Sequence, residues 1–142
     1  MASNDIVHGI RVLVVDDNEA LSEVIALILS GCGCLCELAK NGLEAMQRVK
    51  QARFDAVVTD LEMPVMDGIA LTRELRQCFS SLPVMILTGH SDEDCKEVAL
   101  RAGAREFLSK PFEVSELTGK LHKMLLGRNL AKDQGAPERP CS

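Results

Sequence analysis

Five polar residues of this chain each stand where an apolar run ends. Asp16 and Asp17 follow IRVLVV (10–15), Asp60 follows FDAVVT (54–59), Thr88 closes the apolar part of VMILTG, and Lys110 follows REFLS (105–109). Gathered in one place they offer three carboxylates, one hydroxyl and one ammonium. Two unit charges 4 Å apart repel by ~4 kcal/mol at an effective dielectric of 20, so three clustered carboxylates are strongly unfavourable alone. One lysine cannot balance them, but a divalent cation can. An all-oxygen donor set without His or Cys suits Mg2+, which keeps several waters and takes a few carboxylates plus phosphate oxygens. Taken singly, Asp16, Asp17 and Asn18 read equally well as caps of a helix, and Lys110 as a surface residue. Four separate segments contributing such groups together are poorly explained that way.

Bringing those segments together requires strands whose ends share an edge. The near-continuous β-branched run at 10–15 is the pattern of a strand covered on both faces. Helical spacing follows in Leu21, Val24, Ile25, Ile28 and Leu29, with Gly31 as the expected C-terminal stop. CLCELA (34–39) reads as a second strand, and Asn41 as the cap of a helix with Glu44 in capping-box position. The third strand is FDAVVT, after which Asp67 caps a helix carrying Leu71 and Leu75. Pro83 opens the fourth strand. A helix over 91–103 has Ser91 and Asp94 in capping-box spacing and a terminal Gly103. A short fifth strand at 105–109 precedes a last helix over 114–126, with Leu117, Leu121 and Leu125 on one side. Five strand–helix units in this order predict an α/β fold, a five-stranded parallel sheet between two helical layers with right-handed crossovers. In such sheets ligands bind outside the carboxyl ends of the strands, where these five residues lie. The expected organisation is an N-terminal extension (1–9), one domain (10–126), and a tail or start of a linker (127–142).

Composition narrows the function classes. The 142 residues suffice for one domain with a core of its own, and 46% hydrophobic with 26% charged is globular composition. Aromatics make up 3%, with no Trp or Tyr, so base stacking has little to work with. A formal charge of −5 argues against direct binding to nucleic acid or to an anionic membrane surface. The apolar uncharged run between Glu23 and Glu37 is shorter than the ~20 residues that span a bilayer and is broken by Gly31 and Gly33. The N-terminus lacks the apolar core of a secretory signal, so a cytoplasmic location is expected. Cys32, Cys34 and Cys36 recur with period two, which predicts three thiols on one face of a strand as small apolar residues. Zinc would want CxxC-type spacing and further ligands.

VVDDN (14–18), TDLEMPVMDG (59–68), ILTGH (86–90) and FLSKPFE (107–113), in this order over residues ~10–126, resemble the motif set of response-regulator receiver domains of the chemotaxis-receiver type. The resemblance implies a doubly wound (βα)5, flavodoxin-like, three-layer αβα fold with strand order 2-1-3-4-5. It implies Asp60 as the phosphoacceptor, taking a phosphoryl group from a phosphohistidine on a sensor histidine kinase or histidine phosphotransfer protein. Asp17 and Asp60 would bind Mg2+ directly with the backbone carbonyl of Glu62, Asp16 largely through water, and Mn2+ or Ca2+ could substitute. Lys110 and the Thr88 hydroxyl would hold phosphoryl oxygens. Pro64, Gly68 and Pro111 would shape the flanking loops, the Lys110–Pro111 bond being cis in many members. Thr88 and Phe107 would form the switch that couples the site to the face of the fourth helix, fifth strand and fifth helix. That face would serve a downstream protein target, an output domain or a phosphorylation-dependent dimer.

Glu62 and His90 occupy the variable positions two past Asp60 and two past Thr88, where family members tune acyl-phosphate lifetime. The expected protein is not an enzyme toward other substrates; it catalyses only its own phosphorylation and dephosphorylation. Three rivals stand beside this expectation. A haloacid-dehalogenase-type hydrolase wants a second Asp two past the nucleophile, where this chain has Glu62. A flavodoxin wants a Ser/Thr-rich loop where this chain has DDNE. A pseudo-receiver that only binds partners would not need the full acidic set.

Overall fold

The computed structural model describes residues 8–89 and 93–130, the side chains of 127–130 excepted. Strands and helices alternate as β1 (Arg11–Val15), α1 (Glu19–Gly31), β2 (Leu35–Ala39), α2 (Gly42–Gln51), β3 (Ala56–Asp60), α3 (Gly68–Cys78), β4 (Val84–Thr88), α4 (Glu93–Ala102), β5 (Glu106–Ser109) and α5 (Val114–Leu130). The strands form one parallel sheet in the order β2-β1-β3-β4-β5. This is the flavodoxin-like topology anticipated above, with its order reversing at β1 and β3.

Strand residues divide strictly by face. Leu13, Val15, Val57, Val84, Ile86 and Phe107 belong to a core shared with Ala45 and Val49 of α2, Leu71 and Leu75 of α3, and Ala99 of α4. Val12, Val14, Ala56, Val58, Met85, Leu87 and Leu108 face Ile25 and Leu29 of α1 and Leu117, Leu121, Met124 and Leu125 of α5. Both faces are covered, which is why the central strands read as unbroken apolar runs and not as alternating ones. Burial at ~25 cal/mol per Å2 of apolar area is the main force holding the three layers.

The expected helix starts hold at three positions. Asn18 accepts from Leu21 N–H, Asn41 from Glu44 N–H, and Asp67 from Ala70 N–H, each satisfying an orphan donor of the first turn. Glu44 departs from the box pattern in one respect: its Oε1 accepts from Lys40 N–H at 2.7 Å, one residue before the cap. Ser91 lies outside the described residues. α1 ends at Gly31 as its spacing predicts, but the left-handed residue that closes its last turn is Gly33. Gly33 has φ +99°, its N–H bonds Ser30 O, and Cys34 N–H bonds Leu29 O. That pair of bonds places the left-handed residue two positions beyond the glycine chosen on helical spacing. Gly103, with φ +117° and its N–H on Leu100 O, ends α4 in the same way. The last helix runs on past 126 to Leu130.

Only Cys36 of the three closely spaced cysteines lies within β2, yet all three thiols gather on the α1/α5 side, Cys34 inside that core and Cys32 and Cys36 against it. Burial pushes the Cys34 thiol up to about 12, so it stays protonated and behaves as an apolar group. No described helix is long and apolar enough to cross a membrane.

Candidate functional site

The carboxyl edge of the sheet assembles the polar set. Asp16 is the first residue past β1. Its N–H donates to Ala39 O at 3.0 Å, which continues the β1–β2 ladder, and its Oδ1 accepts Asn18 N–H at 2.9 Å. Asp60 is the last residue of β3, paired with Leu87 of β4, and not the first residue after the strand. The parallel ladder reaches one position farther than the apolar run because pairing involves the backbone, whatever the side chain. One carboxylate oxygen each from Asp16, Asp17 and Asp60 lies within 4.8 Å of the others. Asp16 and Asp60 are buried at 3% and 8% relative exposure, while Asp17 is exposed.

Lys110 enters this cluster from the end of β5. Its Nζ is 2.6 Å from Asp60 Oδ1 and 3.9 Å from Asp16 Oδ2. The shorter contact is a charge-assisted hydrogen bond; the longer is an ion pair beyond hydrogen-bonding reach. Asp16 Oδ2 is in consequence a buried oxygen with no hydrogen-bond partner among the described residues. Burial raises the Asp16 carboxyl above its ordinary value, and the charges of Asp60 and Asp17 push the same way. The Asn18 N–H and the Lys110 ammonium oppose that shift. A hard divalent cation fits this donor set: all the ligand atoms are oxygens, the negative charge exceeds the positive, and one buried oxygen lacks a partner.

Thr88 closes β4, is buried, and pairs with Ser109; its carbonyl accepts Lys110 N–H at 2.7 Å, which ties the two residues' backbones together. Phe107 pairs with Ile86 and is buried in the core that also holds α2, α3 and α4. The Lys110–Pro111 peptide is cis. Glu62 and Pro64 are exposed in the loop after β3. His90 lies outside the described residues.

Gly68, at the start of α3, is forced by proximity. A Cβ there would run into the Asp60 carbonyl oxygen and stand 2.9 Å from Leu61 Cα. The first turn of α3 can therefore lie directly against the backbone of Asp60 only with glycine at this position, and Gly68 N–H bonds Leu61 O at 2.8 Å. Two further features of this edge were not anticipated. Val65 sits at φ +75° inside a γ-turn closed by Met66 N–H on Pro64 O at 2.8 Å. Met66 in turn packs where Gly42 has no side chain. A glycine opening a helix, a place where most residues extend a helix better, was the available signal for that close approach.

The model of the response regulator receiver domain matches residues 12–122. The response regulator MprA of Mycolicibacterium vanbaalenii is 39% identical over 129 residues, covering 91% of this chain and 55% of that protein. The chain thus spans about half the length of the curated relatives it matches. Among solved structures, the Vibrio cholerae chemotaxis protein CheY4 is 30% identical with a TM-score of 0.76, covering 82% of this chain and 98% of that one. The receiver domain of the sensor histidine kinase PA1611 from Pseudomonas aeruginosa, solved with a magnesium ion coordinated in its active-site cleft, is 32% identical at a TM-score of 0.76 over 82% and 98% of the two chains. With five parallel strands in the order 2-1-3-4-5 and an acidic cluster at their carboxyl ends, this chain belongs to the response regulator receiver domain family.

Proposed function

We propose that the chain is a phosphoacceptor whose Asp60 takes a phosphoryl group from a phosphohistidine on a sensor histidine kinase or a histidine phosphotransfer protein. The observation that carries this reading is the state of Asp60: a nearly buried carboxylate at a strand end, 2.6 Å from a lysine ammonium and beside two further carboxylates. An Asp60 oxygen attacks phosphorus as the P–N bond to the donor imidazole breaks, and the electron pair leaves with the imidazole nitrogen. Lys110 then moves its hydrogen bond from the carboxylate to a phosphoryl oxygen, and the Thr88 hydroxyl donates to another. Asp16, Asp17, Asp60 and the Glu62 carbonyl would hold Mg2+, which when bound neutralises charge on the phosphoryl oxygens. The protein acts on no other substrate: positioning and charge neutralisation are all that the edge supplies.

A phosphoryl group of about −2 charge making several charge-assisted hydrogen bonds supplies differential interaction on the scale of the ~5.5 kcal/mol that moves an equilibrium from 1:99 to 99:1. In this reading Thr88 and Phe107 pass that bias to the α4–β5–α5 face, which engages a downstream target, an output domain or a second copy. The test is incubation with Mg2+ and acetyl phosphate. Expected is a gain of one phosphoryl mass, labile to hydroxylamine, absent in Asp60→Asn. Label retained in that variant overturns the assignment of the acceptor. Steady phosphomonoester turnover by the wild type, on the order of 1 s−1 or faster, overturns the non-enzymatic reading.

A further inference from the structure

The loop from Leu61 to Asp67 is held in a conformation that its own residues oppose. Val65, β-branched, lies in the left-handed region at φ +75°, and its side chain is 74% exposed, so nothing packed on it keeps it there. Such a residue persists only where its surroundings over-determine it. Its neighbours do so. Met63 is buried, Gly68 lies against the Asp60 backbone, and Met66 is seated on Gly42 at the start of α2.

The seat on Gly42 is tight. A Cβ at Gly42 would stand 2.6 Å from Met66 Cγ, 2.7 Å from its Cβ and 2.8 Å from its Sδ. The thioether end of a methionine can swing away at little cost. Its Cβ cannot, because that atom is fixed to the backbone. A side chain at 42 therefore displaces the loop itself, at the residue whose N–H closes the strained γ-turn. Once the turn opens, Val65 leaves the left-handed region, and the displacement gains from the relief. Both ends of the loop are pinned beside Asp60: Leu61 N–H bonds the carbonyl of Leu87, the residue paired with Asp60, and the N–H of Gly68, which lies against the Asp60 backbone, bonds Leu61 O.

We infer that Gly42, by admitting Met66, is a positioning residue for the acidic cluster and sets how tightly Asp16, Asp17 and Asp60 bind Mg2+ through the 61–67 loop. The inference rests on the reading of that cluster as a Mg2+ site. The test is calorimetric titration of the full chain with Mg2+, with melting in EDTA recorded in parallel. The variants are Gly42→Ala, Met66→Gly and the two combined.

Gly42→Ala is expected to weaken Mg2+ binding about tenfold, the lower end of what residues that orient metal ligands contribute. The combined variant, in which the added methyl group meets no side chain at 66, is expected to return to within about threefold of Met66→Gly alone. A folded Gly42→Ala within about twofold of wild type overturns the inference, as does a combined variant no better than Gly42→Ala. Should Gly42→Ala fail to fold, the comparison of Met66→Gly with the combined variant decides. Equal affinities support the inference, and a further loss of about tenfold on adding Gly42→Ala to Met66→Gly overturns it. Absence of Mg2+ binding by the wild type would overturn the metal reading and this inference together, whereas normal wild-type binding with an unaffected Gly42→Ala overturns the inference alone.

Discussion

Asp16 and Lys110 show how strongly single groups are constrained at this edge. Asp16 is buried with one oxygen unpartnered, and its carboxyl is raised from 3.8 by burial first and by its acidic neighbours next. The native state thus keeps a proton through a pH range in which the unfolded chain has lost it. Ionisation of Asp16 consequently opposes folding: its effect is nil below 3.8, grows as pH rises past that value, and is complete above the raised native one. Asp16→Asn keeps an oxygen for the Asn18 N–H and removes the charge. In EDTA its stability advantage over wild type is expected to appear near pH ~4 and to level off toward neutrality, read by urea unfolding across that range. A variant less stable than wild type at neutral pH would show that burial is not the governing influence. Lys110→Ala should do the opposite. It leaves the Asp60 carboxylate nearly buried without its cation, lowering metal-free stability by about 1–3 kcal/mol for a partly accessible pair. Adding Asp60→Asn should recover most of that loss in a double-mutant cycle, because no uncompensated charge then remains.

At the scale of elements, the loop after β3 stores strain where the helix ends store none. Val65→Gly places in the left-handed region the one residue with no steric objection to it, and should raise the unfolding free energy by about 1 kcal/mol, measured by thermal melting. A fall would show that Val65 makes a contact its exposure does not suggest. The helix starts were legible in the sequence because a cap is a matter of residue type and spacing: Asn18, Asn41 and Asp67 each bond a donor three residues on. The end of α1 at Gly31 was legible, but Gly31 and Gly33 lie two apart and only the actual hydrogen bonds decide which adopts positive φ. Asp60 was placed outside its strand because hydrophobic pattern registers side chains, whereas the ladder to Leu87 is made by the backbone. The seating of Met66 on Gly42 was not legible, since residues 24 positions apart leave no mark of their proximity in spacing or composition.

The molecule as a whole was the most legible level. An alternation of apolar runs and helical periods admits few topologies once crossovers are right-handed, and the polar group at each run's end then has only one edge to occupy. That a carboxylate, a second carboxylate and a lysine would meet followed from topology; that one carboxylate oxygen would be left without a partner did not, because it depends on a 3.9 Å separation. Mg2+ should therefore raise the melting temperature, with a gain of about 2.7 kcal/mol at a concentration 100 times the dissociation constant. Asp16→Asn and Asp60→Asn should each blunt that gain.

The unpartnered oxygen of Asp16 also bears on how long the protein survives. A chain that is less secure with its cleft empty opens more often, and a protease that cuts the opened form samples that population. Starved of divalent cation, this receiver domain should be digested faster, a difference that limited proteolysis in Mg2+ and in EDTA would read.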